Sequence, residues 1–300
     1  MDLIYLLIYN RYANFFLRWV NKVLSPLLPD SVKIPPSGTI TVDTGQTSFK
    51  LSTNQTSYLT QRLFWHGMSS FEYSTLFTVL IKKVDTFVDA GANIGYYSLL
   101  ACAENRNIRV FSFEPAEGAF TYLGKNVALN RMNDRITAEK LALGDSGGEL
   151  TFQEIENDKY RFTSHVLSGE SHASTKVTPR KTRSYRVEAT TLDAYCDRHQ
   201  IGAVDLIKID TEGSESSILT GAEGVISRHR PVIICEILFD FREKQIESIL
   251  KRHGYEFYFF RDQALVKKDT IIRSADDGVR DCFFVHPDNS FMIEEFIQKR

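Results

Sequence analysis

Val88-Asp89-Ala90-Gly91-Ala92-Asn93-Ile94-Gly95 is the stretch richest in chemistry. Gly91 and Gly95 allow a sharp turn and a close approach of main chain to a ligand. The apolar run from Tyr96 then predicts a helix whose first N–H groups lack partners within it. A dinucleotide-binding turn asks for G-x-G-x-x-G, with glycines that admit a pyrophosphate. Here Asn93 stands where the second glycine would, and Asp89 precedes the first glycine by two residues. A carboxylate there repels a pyrophosphate but suits the cationic methionine portion of S-adenosylmethionine. A plain tight turn would explain the glycines alone. Glu114 closes the next predicted strand, where a carboxylate can accept hydrogen bonds from both hydroxyls of a ribose. An exposed strand-end acid before the helix-starting Pro115 is the alternative.

A second constellation is Lys208-Ile209-Asp210-Thr211-Glu212-Gly213. While the chain stays extended, alternation puts Lys208, Asp210 and Glu212 on one side. Two carboxylates beside an ammonium tune one another's pKa and can set a base near a substrate hydroxyl. The other reading is that Glu212 or Ser214 caps the following helix, with Glu215 in its first turn. Glu236, near the end of a later apolar run, is a weaker candidate. His66, between Trp65 and Gly67, reads as packed rather than catalytic. Glu154 to Ser184 is long and polar, as a lid, a substrate loop or a disordered segment would be. It feeds into Lys176, Arg180, Lys181, Arg183 and Arg186, which suit either a phosphate or a solvated strand face.

The elements that must position these groups alternate. Strands are predicted at Thr86–Ala90, Arg109–Phe113, Ile136–Ala142, Asp205–Ile209 and Pro231–Ile237. Helices are expected at Ala116–Asn130, Leu192–His199 and Ser214–Ser227. That spacing implies an α/β fold, a Rossmann-like mostly parallel sheet covered on both faces, with ligands beyond the carboxyl ends of the strands. Thr39 to Ser57 suggests a small strand pair.

The 300 residues, 43% hydrophobic and 25% charged with a formal net charge of -2, fit a globular chain and exclude a surface built wholly for nucleic acid. The four cysteines form no CxxC pair and the histidines no HxH or HxxxH pair, so no metal site is expected. Residues 1–36 stand apart as an amphipathic helix and Pro-rich linker, ahead of a catalytic domain over 37–300 with a cofactor-binding core at about 60–240. Leu3 to Tyr9 is apolar, and Tyr12, Phe15, Phe16, Leu17, Trp19, Val20, Val23 and Leu24 continue it. Asn10, Arg11, Asn14, Arg18, Asn21 and Lys22 gather in one polar stripe, and Arg11 and Arg18 interrupt the run before it could span a bilayer. A helix over residues 1–24 lying in a membrane surface, basic residues toward headgroups, is one reading. A helix packed on protein is the other. The location expected is cytoplasmic, or peripheral at the inner face of a membrane.

VDAGANIGYYSLLA, FSFEP, NVALN, ALGD, TTLDAYC, IKIDTEGSESSILTGA and PVIICEI occur in that order. In this the chain resembles the FkbM-type methyltransferases over roughly residues 60 to 240. The resemblance implies a class I, S-adenosylmethionine-dependent enzyme that methylates hydroxyls, often of sugars or polyketides, with a hydroxylated small molecule or glycan as acceptor and no nucleic-acid partner. It implies that Asp89, Gly91, Asn93, Gly95 and Glu114 line the cofactor site, with Asp145 near the adenine amino group and Glu72 in a cap over the cofactor. Lys208, Asp210 and Glu212 are the expected catalytic group. A nicotinamide oxidoreductase and a catalytically silent S-adenosylmethionine-binding protein are the rivals.

Overall fold

A computed structural model describes residues 10–24, 27, 33–155, 165–167, 172–173 and 182–298. The chain runs α1 (Arg11–Leu24), β1 (Gly38–Asp43), β2 (Ser48–Thr53), α2 (Tyr58–His66), α3 (Ser74–Leu80), β3 (Thr86–Ala90), α4 (Tyr96–Glu104), β4 (Arg109–Phe113) and α5 (Glu117–Leu129). It continues through β5 (Ile136–Glu139), β6 (Ala142–Leu143), β7 (Gly148–Ile155), β8 (His172–Ala173), β9 (Thr182–Thr190), α6 (Leu192–Arg198) and β10 (Leu206–Ile209). The last elements are α7 (Glu215–Thr220), α8 (Glu223–His229), β11 (Val232–Glu236), α9 (Glu243–Arg252), β12 (Glu256–Arg261), β13 (Ala264–Lys268) and β14 (Asp281–Val285).

All five predicted strands reach one eight-stranded sheet, ordered β13-β12-β14-β11-β10-β3-β4-β5. The run from β5 to β11 is parallel throughout. β14 pairs antiparallel with β11 and β12, and β13 antiparallel with β12. β3 and β10 are buried at every position, as strands covered on both faces must be. One apolar cluster joins β1, β2, α2, α3, α4 and α5 on one face, and another joins α6, α7, α8 and α9 on the other.

Three expectations are corrected. Ile136–Ala142 divides, its first part joining the main sheet and its end forming β6 in a second, four-stranded sheet ordered β6-β9-β7-β8. Ser214–Ser227 makes two helices, because the chain at Gly221 presses on another backbone: a Cβ there would lie 1.9 Å from the Gly144 carbonyl oxygen. The ends of the polar stretch Glu154–Ser184 are strand, since β7 pairs with β9 over the whole register from Gly148↔Ala189 to Ile155↔Thr182. Lys176, Arg180 and Lys181 lie outside the described residues, as do residues 1–9. Arg183 and Arg186 are exposed, and Arg186 pairs with Glu149 across the strands.

The amino-terminal helix turns its apolar side outward, with Tyr12, Phe15, Phe16 and Trp19 exposed. Its polar stripe faces protein. Asn14 accepts from Ser37 N and donates to Pro35 O, and Asn21 accepts from Ile34 N, so these side chains satisfy backbone that has no sheet partner. Arg18 is buried with its guanidinium over the Phe64 ring at 5.1 Å, and burial lowers its pKa. It is therefore not one of the headgroup-facing cations.

The expected strand pair at 39–57 is present, and its edge is closed in an unanticipated way. Asn126 and Asn130, one turn apart on α5, bind alternate residues of β2. Asn130 exchanges hydrogen bonds with Lys50 N and O, while Asn126 accepts from Ser52 N and donates to Ser52 O and Ile94 O. Two amides thus act as a third strand and tie the hairpin to the glycine turn. Asn126 is wholly buried, so Asn126→Ala strands several backbone groups. Unfolding free energy should fall by about 2 to 4 kcal/mol, the sum of two such losses. Urea titration with an unchanged slope would measure this, and a loss below about 0.5 kcal/mol would show the tie to be dispensable.

Candidate functional site

The carboxyl ends of β3, β4, β10 and β11 open into one cavity of about 250 Å³. β3 ends at Ala90, and the chain turns through Gly91 and Asn93, both at positive φ (78° and 50°). Gly91 is required by packing: a Cβ there would sit 1.9 Å from the Asp210 carbonyl oxygen. The turn after β3 is thus wedged against the end of β10. Gly95, at φ 87°, precedes α4, and a Cβ on it would meet Leu123 of α5 at 2.6 Å.

Glu114 lines the cavity and is fixed by two main-chain donors, Asn93 N at 2.8 Å and Ala116 N at 2.8 Å. Burial pushes its carboxyl up to about 7 against the pull of those two donors. Each oxygen retains a further lone pair for a ligand hydroxyl. Asn93 Oδ1 is buried beside it without a hydrogen-bond partner. Apolar walls come from Leu59, Phe71, Ala119 and Phe152. Leu167 adds to them, brought back over the cavity by Leu167 N donating to Thr56 Oγ1 and by Asn54 donating to the His165 carbonyl. So one part of the polar stretch 154–184 does roof the site.

Lys208 lies at the floor and is 3% exposed. Its ammonium is 3.0 Å from Asp210 Oδ2, 4.0 Å from Asp89 Oδ1 and 5.3 Å from the centre of the Tyr97 ring. Burial works to discharge it, but Asp210, Asp89 and Glu72 outweigh that and raise its pKa. Asp210 keeps a side chain 40% exposed to the cavity. The extended run ends there, and Glu212, at φ 56°, still reaches the cavity wall. Glu215 holds this loop from below, accepting from Thr211 N, Thr211 Oγ1 and Gly213 N. Its place in the first turn of α7 was legible; its bracing of the acid loop was not.

Glu72 and Glu236 line this cavity and also an adjoining one with Asp281 and Arg280. Burial first, then Asp210 and Glu212, pushes Glu236 up to about 9, and its Oε2 is buried without a partner. Burial and Asp210 likewise push Asp281, cross-strand from Glu236, up to about 7. Glu72 accepts from Tyr97 OH at 2.7 Å, and burial of its carboxyl first, then crowding with Asp281 and Asp210, raises it to about 8, although part of the residue reaches solvent. Asp281 had no sequence signal, because its strand enters the site from far along the chain. Glu236 had only a weak one.

Three expected cofactor residues do not line the cavity: Gly95, whose turn packs on Leu123, and Asp89 and Asp145. Asp89 is 1% exposed and lies beneath the cavity, accepting from Ser98 OH at 2.6 Å and facing Lys208. Burial raises its pKa, opposed by Lys208 and Ser98. It holds the floor rather than the wall. Asp145 is exposed and borders a separate depression beside Ser216 and Thr220. His66 is exposed at the end of α2 and does not line the cavity.

The sequence model of the family described as methyltransferase FkbM domain matches residues 89–257. The chain is 25% identical over 216 residues to 31-O-demethyl-FK506 methyltransferase FkbM of Streptomyces tacrolimicus, covering 63% of this chain and 82% of that protein. It is 23% identical over 167 residues to 2-O-methyltransferase NoeI of Sinorhizobium fredii, covering 54% of this chain and 68% of that one. A solved structure of methyltransferase FkbM from Methylobacillus flagellatus aligns with a TM-score of 0.43 at 19% identity. That alignment covers 67% of this chain and 43% of the other.

The raised carboxyls make stability depend on pH. Above the ordinary value of 4.5 an unfolded chain releases protons that folded Glu114 and Glu236 retain up to about 7 and about 9. The folded state then binds more protons, so stability falls as pH rises through that window. The melting temperature of ligand-free protein should decline from pH 4.5 to about 9, and Glu236→Gln should flatten the upper part of the decline. A variant whose profile overlays the parent's would exclude Glu236 as a protonated group.

Proposed function

Because the chain belongs to the FkbM methyltransferase family and is an S-adenosylmethionine-dependent methyltransferase, we propose that it methylates a hydroxyl of a sugar, glycan or glycolipid. Polyketide or other small-molecule hydroxyls are the nearest alternative. The observation that carries this reading is the division of one cavity, with Glu114 and the unpartnered Asn93 Oδ1 at one end and Asp210, Glu72, Glu212 and Glu236 at the other. The related enzymes named above are an O-demethyl-FK506 methyltransferase and a 2-O-methyltransferase, which favours oxygen as the methylated atom.

The residues fit the cofactor. Glu114 would hold the ribose hydroxyls, Asn93 Oδ1 would accept a ligand donor, and the walls of Leu59, Phe71 and Phe152 would flank the adenine. The acidic end would hold the positive methionine portion, which a pyrophosphate-bearing cofactor lacks. When bound, S-adenosylmethionine supplies an electrophilic methyl group on a cationic sulfur. The chain's own contribution is alignment and proton removal. A rigid floor that fixes Asp210 against Lys208 holds the acceptor oxygen in line, which accounts for much of the rate gain such enzymes achieve. Asp210 would accept the hydroxyl proton, and Glu212 and Glu72 would orient neighbouring hydroxyls. Lys208 holds Asp210 in place through the 3.0 Å ion pair. A location at the inner face of a membrane suits a lipid-linked glycan acceptor.

Asp210→Asn should keep the shape and reduce turnover by about 100-fold, the scale of a lost general base. Calorimetric affinity for S-adenosylmethionine should fall by far less than turnover, because Glu72, Glu212 and Glu236 remain at the acidic end. Glu114→Ala should instead weaken that affinity by about 1 to 3 kcal/mol, typical of a lost hydrogen bond to a charged group. Single-turnover rates with labelled S-adenosylmethionine and polyhydroxylated acceptor pools, followed by mass analysis, read both. A fully active Asp210→Asn enzyme of native stability would remove Asp210 from the mechanism.

A further inference from the structure

The polar side of α1 is occupied by the protein's own backbone, and this fixes which side looks outward. Tyr12, Phe15, Phe16, Trp19, Val23 and Leu24 are the exposed large apolar groups of this helix, between 44% and 70% accessible. Most follow the i, i+3, i+4, i+7 spacing of one helical face. The helix cannot rotate to hide them, since Asn14, Arg18 and Asn21 are held at residues 34–37 and Phe64. A contiguous face of this kind on a folded chain marks an interaction surface.

We infer that this face docks on a lipid bilayer. Its composition is two Phe, one Tyr and one Trp among aliphatics, the residue types that settle at the boundary of headgroups and acyl chains. The charge of the helix fits an anionic surface: besides the buried Arg18, residues 11–24 carry Arg11 and Lys22 and no acid, the nearest acids in the sequence being Asp2 and Asp30. Lys22 keeps its ammonium at the rim, above the Phe64 ring. The sequence before the helix, Leu3 to Tyr9, is apolar and uncharged. A second copy of this chain fits less well, because an isologous contact would bring two helices whose charged residues are all basic against one another. No helix among the described residues is long and apolar enough to cross a membrane, so the contact is with the surface.

The face also has a fixed relation to the cavity. α1 packs through Arg18 on Phe64 of α2, and Tyr58 and Leu59 at the start of α2 line the cavity. Docking therefore holds the cavity on a rigid strut from the bilayer. On the methyl-transfer reading above, an acceptor anchored in that same surface meets the cavity without leaving it.

The test is co-sedimentation of the full chain with vesicles of phosphatidylcholine alone and with phosphatidylglycerol added, at low salt and at about 0.5 M salt, where screening acts within a few ångströms. Binding should be stronger with phosphatidylglycerol. It should weaken with salt yet persist, because Arg18 is buried and apolar contact supplies most of the attraction. Phe16→Glu combined with Trp19→Glu should lower binding about tenfold or more. Its melting temperature and S-adenosylmethionine affinity should stay native, since both side chains project into solvent. Three results would overturn the inference: no binding to either vesicle, equal binding by the double variant, or a dimer in solution that the double variant dissociates. The vesicle readout is independent of turnover, so an inactive enzyme that still binds would count against the acceptor reading alone.

Discussion

A single buried ammonium holds the site together. Lys208 lies mid-sheet on β10, in register with Asp89 of β3, in surroundings that would discharge an isolated lysine. It stays charged because carboxylates approach it from two strands and the Tyr97 ring faces it from α4. Tyr97 in turn donates to Glu72. The floor, the catalytic candidate Asp210 and the cap residue Glu72 are therefore coupled through one charge. Removing a partner from such a group leaves the other buried and uncompensated, which confines what can replace any of them.

The acids around that charge outnumber it. Glu72, Glu236, Asp281, Glu114 and Asp89 all have raised pKa values with burial as the leading cause. Such surroundings are unfavourable in the ligand-free protein and become favourable when a cation and hydroxyl donors arrive. The unpartnered Glu236 Oε2 and Asn93 Oδ1 are part of the same surplus of acceptors. Stability is thereby set aside for binding, as is common at sites that shift pKa values.

Backbone contacts, rather than glycine flexibility alone, fix the geometry. Gly91 meets the Asp210 carbonyl and Gly221 the Gly144 carbonyl, so neighbouring segments touch where no side chain can intervene. Asn126 and Asn130 then brace the glycine turn from α5 through the β1–β2 hairpin. The NVALN block carrying these asparagines serves architecture, and none of its residues lines the cavity at the strand ends.

The sequence by itself determined the sheet and the identity of most of the site. Short apolar runs alternating with helical stretches specify buried parallel strands, and strand-end chemistry follows from the direction those strands run. That is why Glu114, Asn93, Lys208, Asp210 and Glu212 could be named from local pattern, and why they meet in one cavity. Depth and long-range partners were left to the tertiary structure. Asp89 reads as a cleft residue from its turn, but only the packing of β3 beside β10 puts it under Lys208. Asp281 joins the site because an antiparallel strand from near the carboxyl terminus inserts beside β11. The helix α1 is amphipathic whichever way it faces; the hydrogen bonds that join Asn14 and Asn21 with the backbone of residues 34–37 decided that its apolar side points away from the protein. Local periodicity encodes which residues share a face, and contacts between distant segments select what that face meets.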